Sequence, residues 1–133
     1  MFPVNSKDKL VFVNIKNSYE ALLNNDRNNP LYRESAYDCT VRYWRIADDK
    51  AAEATHILGC YKGKVIEVIK INCVDTVREG EYAGRKKYEG EEEFQSPYLG
   101  LDLHEVFDSL ANFNTSIETY RESYLSQLPL YQS

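Results

Sequence analysis

Two histidines, three cysteines and 21 carboxylates are the side chains in this sequence that could carry metal, nucleophilic or acid–base chemistry. His56 opens a strand-like run and His104 a helix-like one, and two imidazoles alone do not make a metal cage. Both read as structural or surface residues. Cys39, Cys60 and Cys73 are odd in number and have no CxxC spacing, so neither a disulfide framework nor a zinc site is indicated. Cys60 or Cys73 could meet His56 as a thiolate–imidazole pair, but cysteines in strand-like runs are usually small buried apolar residues. The carboxylates are so plentiful that no pair stands out, and the run Glu89 to Glu93 reads as a solvated strand end. There is no G-x-S-x-G elbow, P-loop or G-x-G-x-x-G turn, which leaves acyl-transfer, nucleotide-hydrolysing and dinucleotide chemistry without an anchor. The expectation is a chain that binds rather than catalyses, with no cofactor and no metal; a small nucleotide-directed enzyme is the least favoured alternative.

The elements that must position any site follow from local pattern. KLVFVNIK, Lys9 to Lys16, is β-branched and apolar and predicts a strand buried on at least one face. A helical turn is expected around Tyr19 to Leu23, followed by an Asn-rich loop ending at Pro30. Arg33 to Ile46 is expected to begin as helix and pass into extended chain over Thr40 to Trp44. DDKAAEA, Asp48 to Ala54, predicts a short helix with acidic residues at its N-terminus, where they complement the helix dipole. Between Thr55 and Ile71 two β-rich runs flank Lys62-Gly63, predicting an antiparallel hairpin. Strict alternation in its second run would aim Val65, Glu67, Ile69 and Ile71 one way and Lys64, Ile66, Val68 and Lys70 the other. A polar connection from Asn72 to Gly84 then leads to a strand over Arg85 to Phe94. Helices are expected over LHEVFDSLANF and over a tail from Thr115 to Leu128, stopped by Pro129. No repeat or linker appears, so residues 1–133 read as one domain, with a core of about 9–111 and a helical tail of about 112–133.

Composition narrows the partners. A 133-residue chain can bury roughly two-thirds of its unfolded surface without disulfide or metal support. Neither a signal-peptide pattern nor a membrane-length apolar run is present, so a cytoplasmic protein with no membrane partner is expected. A formal charge of −5 opposes non-specific attraction to a polyanion, because counterion release needs Lys and Arg massed on one surface. Nucleic-acid binding would therefore be local and pocket-based. Eleven tyrosines suit either a stacking site or half-buried strand and helix surface.

Four pieces in order carry a resemblance: KLVFVNIK, TVRYWRIAD, ATHILGCYKGKVIEVIKI, and AGRKKYEGEEEF with SPYLGLDL close behind. The pattern resembles small prokaryotic and phage proteins of the PUA-like superfamily, in layout the EVE and ASCH branches, some attached to nuclease or defence-system proteins. It covers roughly Leu10 to Leu103. Its most specific elements are Tyr43-Trp44-Arg45, the Tyr61-x-Gly63-x-x-x-Glu67-Val68 hairpin, Gly84-Arg85 and Tyr98-Leu99-Gly100. The Asn-rich loop, the acidic stretch and the long tail depart from that pattern.

The resemblance implies an α+β fold: a small, partly open mixed β-barrel with flanking short helices and a C-terminal helix, binding RNA or a modified DNA base in a pocket. Such a pocket needs an aromatic platform, a cation and rim groups. Trp44 or Tyr43 would stack, Arg45 and Arg85 would donate forked hydrogen bonds, Tyr61 would close the wall, and Lys62, Lys64, Lys86 and Lys87 would form a basic rim. For Trp44 a place in the core is an equal reading. The alternative function is a protein-interaction module, an adaptor or inhibitor in phage–host defence, presenting an acidic, Tyr-rich surface to a protein partner. A homodimer through the tail helix or an edge strand is compatible with either.

Overall fold

The computed structural model describes residues 8–102 and 130–132. The first run becomes β1, Leu10–Asn14, and its unbroken apolar character reflects burial on both faces. Val11 and Val13 enter a cluster with Ile15, Val41, Trp44, Ile57, Ile69 and Tyr88, while Leu10 and Phe12 enter a second one with Leu58, Cys60, Val65, Val68 and Tyr98. Three short helices follow: α1, Lys16–Leu23; α2, Ala36–Val41; and α3, Asp48–Glu53. They form the crossover that a parallel partner requires, and β2, His56–Tyr61, lies parallel to β1 in the register Leu10↔His56 to Asn14↔Cys60.

The hairpin forms where expected. Lys62 (φ 51°) and Gly63 (φ 78°) both take positive φ, the backbone of a two-residue turn that matches strand twist. It joins β2 to β3, Lys64–Thr76, which pairs in turn with β4, Lys86–Glu92, both antiparallel. The three-residue β5, Leu130–Gln132, lies parallel along the other side of β1. The sheet order is β4-β3-β2-β1-β5, so the chain is a small α+β domain with a mixed sheet.

Three expectations need correction. The sheet keeps two separate edges, β4 and β5, and is not closed into a barrel. The polar segment after Ile71 is not a loop at its start: β3 runs on to Thr76, because Cys73 to Thr76 pair with Lys86 to Glu89. Nor does β3 alternate strictly. A bulge opposite Gly59/Cys60 shifts the register, so Val65 and Val68 share the second cluster while Ile66 packs against the first. The helices expected over 103–113 and 115–128, and His104, lie outside the described residues. No helix among the described residues is long and apolar enough to cross a membrane.

Candidate functional site

The segment carrying Tyr43, Trp44 and Arg45 leaves α2 in extended conformation. Ser35 caps the start of α2 by accepting a hydrogen bond from Asp38 N at 3.1 Å. After Val41 the backbone opens at Arg42 (φ −135°, ψ 150°), and Trp44 pairs with Lys86: Trp44 N donates to Lys86 O at 2.9 Å and Lys86 N to Trp44 O at 2.7 Å. Extended chain alternates its side chains, so only one of Tyr43 and Trp44 can face inward. It is Trp44. Its indole is 2% exposed, surrounded by the first cluster, and its Nε1 donates to Thr40 O at 2.7 Å, satisfying a carbonyl in the last turn of α2. As a platform for a ligand Trp44 is therefore ruled out; it is a core anchor.

Tyr43 and Arg45 face the other way. The Tyr43 ring stacks on Tyr82 with centroids 4.5 Å apart and planes 12° from parallel. The Arg33 guanidinium lies 5.4 Å from the Tyr43 centroid and 5.8 Å from that of Tyr82, and the Arg85 guanidinium lies 5.3 Å from Tyr82. These distances suit cation–π attraction, strongest where water is partly excluded. Arg33 is further anchored by donation from Nη1 to the carbonyls of Tyr32 (2.9 Å) and Pro30 (3.2 Å). Arg85 thus supports the tyrosine that backs Tyr43, while Arg45 is exposed.

Tyr61 belongs elsewhere. It pairs with Lys64 at the start of β3, whereas Trp44 and Lys86 meet the end of β3 at Thr76, roughly 40 Å of strand contour away. Tyr61 packs edge-on against Tyr19 (4.9 Å), donates to Glu20 Oε2 at 3.0 Å and carries Lys62 over its ring at 5.3 Å. Tyr61, Lys62 and Lys64 therefore cannot share a base-sized pocket with Tyr43. Lys86 is also not a rim cation. It is 5% exposed, and its Nζ donates to Thr76 Oγ1 at 2.8 Å and to Asp48 Oδ1 at 2.5 Å. The ammonium in turn holds the Asp48 carboxyl below the usual carboxylate range.

Of the anticipated residues, Tyr43 and Lys87 come together, in a groove of about 380 Å³ that also includes Tyr37, Arg42, Asn72 and Tyr88. Tyr37 reaches the groove from α2, where its hydroxyl accepts from Gly90 N at 3.1 Å and donates to Gly90 O at 3.4 Å. Arg42 is held by Asp38, Nη2 to Oδ1 at 3.2 Å. Sequence reasoning missed Tyr37, Arg42, Asn72 and the backing pair Arg33 and Tyr82. One signal was available: once Trp44 is placed inward, its neighbour Tyr43 must face out, and Arg42 and Tyr37 lie within two turns of chain before it.

Two ionisable groups sit outside this groove. His56 is buried at the start of β2, with Nε2 3.2 Å from Glu93 Oε1 and Nδ1 2.8 Å from Thr55 Oγ1. Glu67, 7% exposed, has its carboxyl pushed up to about 7, first by burial and then by hydrogen bonding and repulsion from Glu92. Because the folded state holds this proton more tightly, the associated stability is full below about 4.5 and is lost as pH rises to about 7. Glu67→Gln is expected to remove most of that decline, leaving the variant on the order of 2 kcal/mol more stable than the parent above neutrality. Urea midpoints measured against pH for both proteins check this; parallel curves would contradict it.

The thiols do not favour nucleophilic chemistry. Burial pushes Cys60 up to about 12, and Cys73 is raised by desolvation and then by the charges of Glu89 and Asp75, opposite to what an attacking thiolate needs. Among the described residues no three His, Cys, Asp or Glu side chains are grouped as a metal would require. Comparison of the chain with protein-family models, with curated proteins and with solved structures found no match.

Proposed function

We propose that this chain is a non-catalytic binding module of PUA-like type, and that it takes an unstacked base of RNA or a modified DNA base in the groove beside Tyr43. The observation that carries the reading is the grouping of Tyr43, backed by Tyr82, with Tyr37, Arg42 and Lys87 around a groove of about 380 Å³. That volume falls at the small end of the range for small-molecule sites. A flat π-face next to cations matches what single bases use, since stacking tolerates any ring and the cations select for phosphate or a carbonyl edge. The acidic balance of the whole chain favours a single captured base over a long polyanion.

The test is a titration of the ¹⁵N-labelled protein with structured RNA, modified oligonucleotides and single nucleosides. Shifts are expected to centre on Tyr37, Arg42, Tyr43 and Tyr88. Tyr43→Ala should weaken binding about 10- to 100-fold, the size of one lost base–aromatic stack, while Tyr43→Phe stays within about threefold and Trp44→Phe keeps binding as long as it folds. A panel that moves no resonance in the groove would remove the reading.

A further inference from the structure

Along β4 the side chains of Lys87, Glu89 and Glu91 alternate with that of Tyr88, which is buried in the first cluster, and so lie on the face of the sheet away from Trp44 and that cluster. Across the ladder, β3 adds Lys70, Cys73 and Asp75 to that face, through the pairs Lys70↔Glu91, Cys73↔Glu89 and Asp75↔Lys87. All six are exposed. The Cys73 thiol lies 3.8 Å from Glu89 Oε2, which places the two on one side. With Glu93, this ribbon carries four carboxylates against two lysines.

The ribbon ends at an exposed aromatic. Phe94 is 74% exposed and Leu99 39%, and these are two of the three large apolar side chains left in solvent among the described residues. Both belong to the segment that follows β4, where Glu93, Phe94, Gln95, Ser96 and Pro97 border a recess of about 480 Å³. The segment is tied down at both ends. Glu93 N donates to Val68 O at 2.8 Å and its carboxylate meets His56; further on, Tyr98 is 2% exposed, and Gly100 N and Val65 N bond Val65 O and Leu101 O at 2.8 and 2.9 Å. Phe94 is therefore held outward on an anchored frame, the condition under which an exposed aromatic binds without a large ordering cost.

We infer that this ribbon and Phe94 form a docking surface for a basic segment of a partner protein, one that sets Lys or Arg side chains along Glu89, Glu91 and Glu93 and an apolar side chain against Phe94. Charge complementarity selects the partner: the carboxylates repel nucleic acid and anionic lipid and attract a cationic peptide. The aromatic at the ribbon's end supplies the apolar anchor that interface centres use. This surface shares no lining residue with the groove beside Tyr43 except Lys87 and Glu89 at the border, and stands whether or not a base binds there.

Three synthetic peptides of equal length test it on the full chain: one of Lys and Ser with a central Phe, one with that Phe replaced by Ser, and one with every Lys replaced by Ser. The first is expected to shift resonances over 70–75 and 89–95 and to bind at least about tenfold more tightly than either control. Phe94→Ser and Glu91→Lys, both at exposed positions, should each weaken it about tenfold while the amide spectrum stays dispersed. Equal binding of the two lysine peptides, no binding of the first, shifts elsewhere on the protein, or retention of affinity in Phe94→Ser would each overturn the inference.

Discussion

Trp44→Ala is expected to lower the stability of the fold by about 3–5 kcal/mol, the range for truncating a buried aromatic. The indole is buried in one cluster with Val11, Val41, Ile57, Ile69 and Tyr88, so its truncation opens a cavity there. Its Nε1 also satisfies Thr40 O at 2.7 Å, so truncation leaves a helix-end carbonyl without its donor. Trp44→Phe separates the two contributions, since it keeps most of the packing and removes the donor, and should cost about 1–3 kcal/mol. Urea unfolding followed by far-UV circular dichroism measures both, with a lower midpoint and an unchanged slope as the expected form. As Trp44 is the sole tryptophan, its fluorescence gives an independent check: the native protein should emit to the blue and resist acrylamide quenching. Ready quenching, or an alanine variant as stable as the parent, would place the indole outside the core.

The second large effect is expected at Gly90, in the middle of β4. A Cβ there would stand 2.0 Å from Lys70 O and 2.9 Å from Ile69 Cγ2, and the first of these is backbone that cannot swing aside. Gly90→Ala must therefore push β4 away from β3, weakening the ladder between Lys70–Thr76 and Lys86–Glu91 and the double hydrogen bond with the Tyr37 hydroxyl. A loss of about 3 kcal/mol or more is expected, against about 0.5 kcal/mol for Glu89→Ala or Glu91→Ala on the exposed face of the same strand. Comparing the three melting curves isolates the steric clash from a general effect of substituting in β4. A Gly90→Ala protein that melts with the two controls would mean that β4 does not approach β3 as described. Because Gly90 borders the groove beside Tyr43, the same substitution should also reduce base binding, whereas Glu91→Ala, outside the groove lining, should not.

How much of this was legible beforehand differs from element to element. The β1 run, the Lys62-Gly63 turn and the Asp48 helix were placed within a residue or two, since each depends on local conformational preference: β-branched side chains, positive φ at two adjacent residues, acids at a helix start. The exposed acidic end of β4 was legible for the same reason. The site was much less so. A passage from helix to extended chain within Arg33 to Ile46 was anticipated, but with the extended part starting at Thr40, whereas Thr40 and Val41 still belong to α2. The sides on which Tyr43, Trp44 and Arg45 lie could not be read from three residues alone. The same holds for Lys86, which looks like its neighbour Lys87 in sequence and differs from it by a full alternation of the strand.

The amino-acid sequence by itself determined that this chain makes short helices and a hairpin-containing sheet, where the turns fall, and that it carries an acidic balance. Only the tertiary structure decided that Trp44 closes the core, that Lys86 is buried against Asp48 and Thr76, that Tyr61 lies at the far end of β3 from Tyr43, and that Tyr37, Arg42 and Lys87 share one groove. The reason is the range of the forces involved. Turn and helix preferences act over a few residues, while the face a strand residue presents is set by the partner it meets, and here those partners stand tens of residues away: Trp44 on Lys86, Tyr37 on Gly90, Tyr43 on Tyr82.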